Sequence, residues 1–586
     1  MMKPIHVILY TLLTLIVVKL LGILLLIFII ISFSDTTPTV ENNSTLVIQL
    51  SGQIPEFVPK SGLPIKLGPS TSLKAICDNI EKARVDQRIK GILLRINRTT
   101  LGWAKIDELK GLLANFKNSG KYIIAYLGSY VSESDYYLAL SADSIFVAPG
   151  GFMEMNGLVI ETIHLPGLLE KLGITVDYFA YGKYKSRSGE ELGRKKHSAP
   201  VLEMLNDLLD WQYAHLVRAI ANRLNISEAQ VKAVLDQGYF SPEKFKQLGW
   251  VDGILYEDQL FDRLKALNGT ATKDKLNQIS SATYDRISSE SLGLNKGRDQ
   301  IALIYSQGII QEGDDQIDPL SFEFSAGTDP IIRALRKAAK SRSVKAIVFR
   351  VDSPGGSGLG CDLVWREILK AKEKKPVIVS MSDYAASGGY WVSMGATAIV
   401  AQPSTLTGSI GIWSVFPNVS GLYDKLGLVP ETIKRGEHAD MFLGVKKLSD
   451  YEKKLLSDRL LETYRDFVAK AASSRGKSYD ELEPYAQGRS WMGEQAQKLG
   501  LIDELGGLDR AIQLAKQKAG IDPTAPVKIV VFTTMKGWIE KLISNPMLRW
   551  IVASPRMESL WKHWQDVLTH QQVLLWPLMP YRIRIY

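Results

Sequence analysis

The chain contains an internal tandem repeat, and a duplicated segment has to fold twice into the same local structure. Residues 122–151, "YIIAYLGSYVSESDYYLALSADSIFVAPGG", match residues 376–405, "PVIVSMSDYAASGGYWVSMGATAIVAQPST". At the same offset of 254 residues, "LLEKLGI" at 168–174 matches "LYDKLGL" at 422–428. Two halves of one architecture are therefore expected rather than two unrelated domains.

Each copy alternates a buried strand with an amphipathic helix. The strands open "IKGILLRINRTTLG" at residues 89–102 and "VKAIVFRVDSPGGSG" at 344–358, where the offset is 255 because the second glycine loop has one more residue. Apolar residues at helical spacing follow, in residues 107–116 and 363–373. This alternation indicates an α/β fold with parallel strands, not an all-β or all-α fold.

The repeat divides the chain into five segments. They are an N-terminal membrane anchor at 1–40, a first repeat at 44–267, a polar linker at 268–300, a second repeat at 301–526 and a C-terminal extension at 527–586. The linker is poor in large aliphatic residues. The extension interleaves tryptophans and leucines with basic residues, which favours amphipathic helices that lie on a membrane surface or pack against the body.

The N-terminal segment has the composition of a membrane anchor. Residues 5–33 are almost entirely apolar, and a run of this length can span a hydrocarbon core. Lys3, His6 and Lys19 lie on the N-terminal side of its densest part, residues 20–33, and Asp35 and Glu41 follow it. The positive-inside rule therefore places the N-terminus in the cytoplasm and the chain beyond residue 40 outside. A cleaved signal peptide is the alternative, which the length of the run and the lack of a small-x-small cleavage site disfavour.

Composition excludes several classes of function. The net charge of +9 is spread along the chain, without a basic tract that contains aromatic residues, which argues against nucleic-acid binding. The two cysteines, Cys77 and Cys361, do not make a disulfide framework and are expected to be free. No His or Cys spacing typical of a metal site occurs, so neither a metal nor a cofactor is expected.

The stretch "SDYAASGGYWVSM", residues 382–394, presents a candidate nucleophile. Ser387 stands between two alanines and two glycines, which permit a sharp strand-to-helix turn that exposes its hydroxyl. A serine nucleophile needs a base. No histidine lies within forty residues of Ser387, so a base has to come from elsewhere in the chain.

Comparison of the two copies suggests a split site. Ser387 falls opposite Glu133 of the first copy, and Lys185 of the first copy falls opposite Ala439 of the second. Each copy therefore lacks the group that the other has. A lysine serves as a general base if burial in an apolar pocket lowers its pKa from about 10.4 to near 7.

Four motifs resemble those of bacterial signal peptide peptidases of the protease IV type, in their long, duplicated form. They are "YGKYKS", "SPGGS", "AASGGYW" and "PSTLTGSIGI", and the resemblance runs from about residue 44 to about residue 520. It implies a fold similar to the ClpP and crotonase spiral of ββα units, in a homotetramer with inward-facing sites. It also implies a serine endopeptidase, anchored in the bacterial inner membrane with its catalytic repeats outside, that degrades signal peptides and other apolar peptides.

The resemblance implies roles for five residues. Ser387 is the nucleophile, Lys185 is the general base, and Ser409 orients the lysine through its hydroxyl. The backbone amides of Gly356 and Gly388 form the oxyanion hole. Because the serine and the lysine come from different copies, the two repeats have to meet, either within one chain or between neighbours in a ring.

Two residues are alternatives to Lys185 as the base, one residue departs from the family pattern, and two functions are alternatives to a peptidase. Lys183 competes with Lys185 on what the sequence predicts to be the same strand face, and His438 is a rival base near the position that matches Lys185. Arg187 stands where the family usually has a small residue, so it is expected to alter the substrate cleft. The rival functions are a catalytically silent scaffold that binds lipid or protein, and a crotonase-type acyl-CoA enzyme.

Overall fold

The computed structural model describes residues 38–58, 71–317 and 324–532. The predicted anchor up to residue 37 and the C-terminal extension beyond residue 532 lie outside the described residues. In those three ranges, every helix is too short or too polar to cross a bilayer. The described residues cover both repeats and the segment that connects them.

The first repeat alternates strands and helices as its sequence predicts. The strands of the first repeat are β1 Ser44–Gly52, β2 Ile89–Thr99, β3 Tyr122–Leu127, β4 Tyr130–Val131, β5 Ser144–Val147, β6 Phe152–Met153, β7 Thr175–Tyr181 and β8 Gly253–Ile254, and the strand that follows the repeat is β9 Gln278–Ser280. The α-helices over the same part of the chain are α1 Leu73–Val85, α2 Trp103–Lys117, α3 Glu133–Ala139, α4 Pro166–Leu172, α5 Arg187–Gly193, α6 Ala199–Leu224, α7 Glu228–Leu235, α8 Pro242–Gln247, α9 Glu257–Asn268 and α10 Ser281–Tyr284.

The second repeat follows the same order of elements. Its strands are β10 Gln300–Gln307, β11 Ile309–Gln311, β12 Gln316–Ile317, β13 Phe324–Gly327, β14 Val344–Ser353, β15 Val377–Ala386, β16 Ala398–Ala401, β17 Leu406–Gly408, β18 Ile412–Asn418, β19 Ser490–Met492, β20 Glu504–Leu505 and β21 Lys528–Val531. Its α-helices are α11 Thr328–Lys340, α12 Gly358–Lys372, α13 Gly388–Met394, α14 Ser420–Leu426, α15 Asp450–Ser474, α16 Tyr479–Leu482, α17 Gly493–Lys498 and α18 Leu508–Lys518.

Each repeat is built on one mainly parallel sheet. In the described residues, the first sheet has the strand order β8-β5-β3-β2-β1-β9 and all its pairs are parallel. The main path of the second sheet is β19-β17-β15-β14-β10-β21, with β19 antiparallel to β17. The pairings β1–β2–β3 and β10–β14–β15 are equivalent, so the two halves share one α/β topology.

The central strands are covered on both faces, which explains their nearly continuous apolar sequences. Along β14, Ile347 and Phe349 pack in one cluster with residues of α11 and α12. The alternate residues Ala346 and Val348 pack in a second cluster with residues of α18. Period-two alternation therefore divides one apolar strand between two separate layers of helices.

Strand pairing joins the two repeats. β7 of the first repeat pairs antiparallel with β18 of the second, from Thr175 opposite Asn418 to Tyr181 opposite Ile412. Lys185 lies four residues after the end of β7, and Ser409 lies three residues before the start of β18. The ladder therefore brings these two candidate residues together at one end.

Residues 268–300, which the sequence predicts to be a linker, fold onto the first sheet. β9 extends this sheet beyond β1. The Asn79 side chain donates hydrogen bonds to the carbonyl and hydroxyl oxygens of Ser281, both at 2.8 Å. A polar side chain of the first repeat therefore satisfies a buried backbone carbonyl of this segment.

A fully buried arginine connects the repeats. Arg350 on β14 donates hydrogen bonds to Glu56 at 2.9 Å and to Glu108 at 2.8 Å, and both glutamates belong to the first repeat. The Arg350 side chain is 0% exposed. Each charge is paired and hydrogen-bonded, as burial of an ion requires.

A lysine completes the charge cluster beside the glycine loop of the second repeat. Lys105 of α2 donates to Asp352 at 2.7 Å and its amine lies 3.3 Å from Asp383. Asp383 also accepts the Lys105 backbone amide at 3.0 Å. Asp352 precedes the "SPGG" loop and Asp383 precedes Ser387, so the cluster fixes both segments against the first repeat.

Replacing Arg350 tests this connection. Arg350→Met leaves Glu56 and Glu108 as buried carboxylates without their guanidinium, which should lower the free energy of unfolding by about 3–5 kcal/mol. The matched control is Arg459→Met, because Arg459 and Glu462 form an exposed pair, and it should cost less than about 1 kcal/mol. Urea denaturation measures both. Equal stability of Arg350→Met and the wild type would contradict the structural role of the cluster.

Candidate active site

Ser387 forms a strained turn between β15 and α13. Its φ of 57° and ψ of −117° lie in a region that residues with a side chain rarely adopt. Its amide donates to the Gly408 carbonyl at 2.8 Å. A Cβ built on Gly388 would lie 2.6 Å from the Cys361 sulfur, and one on Gly389 would lie 2.4 Å from the Ser353 carbonyl oxygen. Both glycines are therefore needed for the strand-to-helix turn.

Lys185 lies in a turn of the first repeat that the second repeat supports. The Tyr184 amide donates to the Gln487 carbonyl at 2.8 Å. A Cβ built on Gly488, whose φ is +71°, would lie 2.5 Å from the Lys185 Cβ. The backbone of residues 487–488 therefore packs directly against Lys185, whose amine reaches Ser387.

The amine of Lys185 is enclosed by oxygen atoms that carry no formal charge. Its Nζ lies 2.7 Å from Ser387 Oγ, 2.9 Å from the Ser409 carbonyl oxygen and 3.0 Å from Ser409 Oγ. Lys185 is 2% exposed, and this burial lowers the pKa of its amine well below the usual value. Ser409 has a φ of +52°, and its amide donates to the Arg489 carbonyl at 2.7 Å, which fixes the turn that presents both oxygens.

Two backbone amides face the same region. A Cβ built on Gly388 would lie 2.8 Å from the Gly356 nitrogen, so the two segments are in contact. The Ile310 amide donates to the Gly355 carbonyl, and the Ser357 amide donates to the Ile310 carbonyl, which holds the loop on both sides of Gly356. Within the described residues, the amides of Gly356 and Gly388 have no acceptor. Free amides next to a serine hydroxyl suit an oxyanion hole.

The equivalent turn of the first repeat is closed. Glu133, which falls opposite Ser387, is 2% exposed. Its carboxylate accepts the backbone amides of Asn156 at 2.9 Å and Gly157 at 3.1 Å. These amides belong to the stretch that corresponds to residues 410–411, next to Ser409. A carboxylate therefore occupies the position of the second-repeat hydroxyl.

The alternative bases lie elsewhere. The prediction that Lys183 and Lys185 share a strand face is wrong, because β7 ends at Tyr181 and both residues lie in the following turn. The Lys183 side chain is 55% exposed. His438 Nδ1 lies 3.2 Å from a carboxylate oxygen of Glu452, in the first turn of α15.

Other candidate groups are also accounted for. Cys77 and Cys361 are free, and Cys361 is buried beside the Ser387 turn. In residues 38–58, 71–317 and 324–532, no cluster of three or more His, Cys, Asp or Glu side chains is arranged to hold a metal ion.

The supporting turn at residues 487–488 is not among the sequence predictions, although the sequence contains a signal for it. "DQGYFSPEKFKQLGWVDG" in the first repeat resembles "AQGRSWMGEQAQKLGLID" in the second. The glycines of these stretches, Gly238 and Gly488, both have a positive φ. The repeated Gln-Gly pair therefore predicts a turn, but its contact with Lys185 depends on how the two repeats pack.

Comparison with known proteins gives consistent matches. Residues 115–271 and 370–522 match peptidase family S49. The chloroplastic serine protease SPPA of Arabidopsis thaliana is 38% identical over 84% of this chain and 71% of its own length. Protease 4 of Haemophilus influenzae is 32% identical over 75% of this chain and 71% of its own length. A solved structure of the 1510-N membrane-bound stomatin-specific protease with a substrate peptide is 16% identical, with a TM-score of 0.26 over 42% of this chain and 97% of its own.

These matches define the class of the protein, which is a serine peptidase. The family match lies in both repeats and covers more than half of the chain. The chain belongs to peptidase family S49, as a long, duplicated member of the protease IV type.

Removing the buried amine should stabilise the protein at neutral pH. In the unfolded chain the Lys185 amine has the ordinary lysine pKa of 10.5, whereas burial lowers its pKa and favours the neutral amine in the folded state. The unfolded state therefore binds more protons, and this contribution to stability rises with pH up to the unfolded pKa. Lys185→Met lacks the contribution, so its Tm should exceed that of the wild type most at low pH.

Thermal denaturation from about pH 6 to about pH 9 measures this difference. The matched control is Lys183→Met, whose exposed amine should leave the Tm and its pH dependence as in the wild type. A Tm advantage of Lys185→Met that does not shrink as pH rises would contradict a lowered pKa.

Proposed function

We propose that this serine peptidase is a membrane-anchored endopeptidase that degrades cleaved signal peptides and other apolar peptides. Support for peptide substrates comes from the relatives, which include Protease 4 of Haemophilus influenzae and of Salmonella typhi. A further relative, from Enterococcus faecium, is described as a candidate signal peptide peptidase. The proposed reaction uses a serine–lysine dyad without a metal or a cofactor.

One observation carries the proposal: Lys185 Nζ lies 2.7 Å from Ser387 Oγ in a buried setting. The neutral amine accepts the hydroxyl proton of Ser387 while Oγ attacks the scissile carbonyl carbon. The carbonyl and hydroxyl oxygens of Ser409 accept the remaining N–H groups of Lys185, which directs the nitrogen lone pair at Ser387. Ser409 therefore positions the base.

The attack places negative charge on the former carbonyl oxygen. We assign the stabilisation of this oxyanion to the backbone amides of Gly356 and Gly388. The Lys185 ammonium then returns its proton to the leaving amine, the C–N bond breaks, and an acyl ester remains on Ser387. Water, activated by the same amine, hydrolyses the ester and restores the free serine.

We propose that residues 1–40 anchor the protein in the bacterial inner membrane, with the N-terminus in the cytoplasm and both repeats outside. The support is the apolar run at residues 5–33 and the charges that flank it. In this arrangement the repeats work beside the lipid surface, where spent signal peptides are released.

We also propose a homotetramer. Residues 175–181 of the first repeat form β7, which pairs with β18 of the second repeat, and their counterparts, residues 429–435, pair with no strand within the described chain. In this second segment Val429 is 90% exposed and Ile433 is 87% exposed. Such apolar exposure supports packing of this segment against the first repeat of a neighbouring subunit. Each subunit then contributes one complete dyad.

Cleavage of a fluorogenic apolar peptide by the detergent-solubilised full chain tests the proposal. Ser387→Ala and Lys185→Ala should each lower kcat by at least about 10³-fold, because nucleophile and base act as a unit. Ser409→Ala should lower kcat by about 10–100-fold, since the lysine loses one orienting acceptor. The control His438→Ala should match the wild type. Wild-type activity in Ser387→Ala would contradict the proposed function.

The pH dependence provides an independent test of the base. Because the dyad acts only when the Lys185 amine is neutral, kcat/KM should rise with pH and then level off. The apparent pKa of this rise should lie well below 10.5. Lys185→Arg keeps a positive charge at every accessible pH, so it should be inactive over the whole range. Activity that increases as pH falls would instead require an acid in the protonated form.

A further inference from the structure

Arg187 is a buried arginine with two side-chain nitrogens that lack a hydrogen-bond partner within the described residues. Its side chain is 7% exposed, yet Nε and Nη1 have no hydrogen-bond partner within the described residues. Arg350 shows how this protein satisfies a structural arginine, because its donors are taken by two glutamates and two serines. Burial of a cation with unfilled donors is costly unless a further partner binds.

The neighbouring acid does not fill those donors. Glu191, one helical turn after Arg187 on α5, has its Oε1 3.7 Å from Arg187 Nε, which is too long for a hydrogen bond. This Oε1 also has no hydrogen-bond partner within the described chain. Burial lowers the pKa of Arg187 and raises the pKa of Glu191, which fits an incomplete ion pair. Nε and Nη1 of Arg187 therefore lack an acceptor, which a second carboxylate could supply.

Arg187 also lies close to the dyad. It follows Lys185 by two residues, and its electrostatic neighbour on the second repeat is Tyr384, three residues before Ser387. Tyr384 lines a cavity of about 470 Å³ between the two repeats, together with Leu406, its partner in the β15–β17 ladder. A peptide that enters this cavity reaches Tyr384, which is the electrostatic neighbour of Arg187 and lies three residues before Ser387 in the chain.

We propose that Arg187 binds a carboxylate of the peptide substrate close to the scissile bond, which makes the peptidase selective for substrates that carry one there. The inference rests on the proposed function. Two sources supply this chemistry: the free C-terminal carboxylate of a peptide, and the side chain of Asp or Glu. The planar fork of a guanidinium matches a carboxylate in two parallel hydrogen bonds, which a lysine cannot provide.

Matched peptides separate the two sources. One apolar fluorogenic peptide is made with a C-terminal acid or a C-terminal amide a few residues after the cleaved bond, and a second pair carries Glu or Gln beside that bond. The ratio of kcat/KM for the charged and the neutral member is measured with the full chain. We expect a ratio of about 10–100 in the wild type for one pair, from a charge-assisted bidentate contact.

Variants at residue 187 test whether Arg187 makes the contact with the substrate carboxylate. Arg187→Met should reduce the ratio to about 1, and Arg187→Lys should give an intermediate ratio because it keeps the charge and loses the fork. The control Lys183→Met removes an exposed positive charge four residues away and should keep the wild-type ratio. A wild-type ratio near 1 for both pairs, or an unchanged ratio in Arg187→Met, overturns the inference and leaves the proposed function intact.

A measurement on the wild type covers the case in which Arg187→Met is inactive. Short apolar peptides that end in a carboxylate should inhibit cleavage at about 10-fold lower concentration than the same peptides ending in an amide, or Glu peptides should do so relative to Gln peptides. Equal inhibition within both pairs overturns the inference. Wild-type cleavage by Ser387→Ala would overturn the proposed function instead, whatever the ratios are.

Discussion

The burial of one amine between two repeats is the constraint on which the candidate site depends. Lys185 comes from the first repeat, whereas the oxygens around its Nζ and the turn behind it come from the second. Neither repeat alone could desolvate this lysine. The antiparallel ladder of β7 with β18 therefore does more than join two halves, because it sets the pKa of the amine that stands next to Ser387.

Lys105, another buried lysine between the two repeats, has a pKa shift in the opposite direction. Burial by itself would lower the pKa of Lys105, but Asp352, Asp383 and Glu56 lie close to its amine and raise the pKa above the usual value. Lys105 therefore stays charged and ties the first repeat to the segments before the glycine loop and before Ser387. Lys185 is surrounded by hydroxyl and carbonyl oxygens instead. Neighbouring acids, and not depth of burial, decide which of the two lysines stays charged.

Much of this arrangement could be predicted from the sequence, for physical reasons that differ between residues. The repeat and its alternating strands and helices predict two equivalent α/β halves, and the glycines around Ser387 predict its turn, because both are local properties. The prediction that Lys185 lies on a strand is wrong, because β7 ends at Tyr181 and the apolar pattern of the strand does not show where it ends. The contact of Gln487 with Tyr184, and the unfilled donors of Arg187, depend on long-range packing that no local pattern encodes.

Divergence of the two copies explains why the described residues bring one serine–lysine pair together at these turns rather than two. At the first-repeat turn, the carboxylate of Glu133 accepts the amides of Asn156 and Gly157, so this turn is filled by its own side chain. At the position that matches Lys185, Ala439 has no amine and is exposed. A change of Glu133 to serine alone would therefore restore a hydroxyl without a base. In the proposed ring, the junction between the two repeats of one chain is the catalytic one, and the junction between chains serves assembly. Each copy of the duplicated unit therefore keeps only one member of the serine–lysine pair.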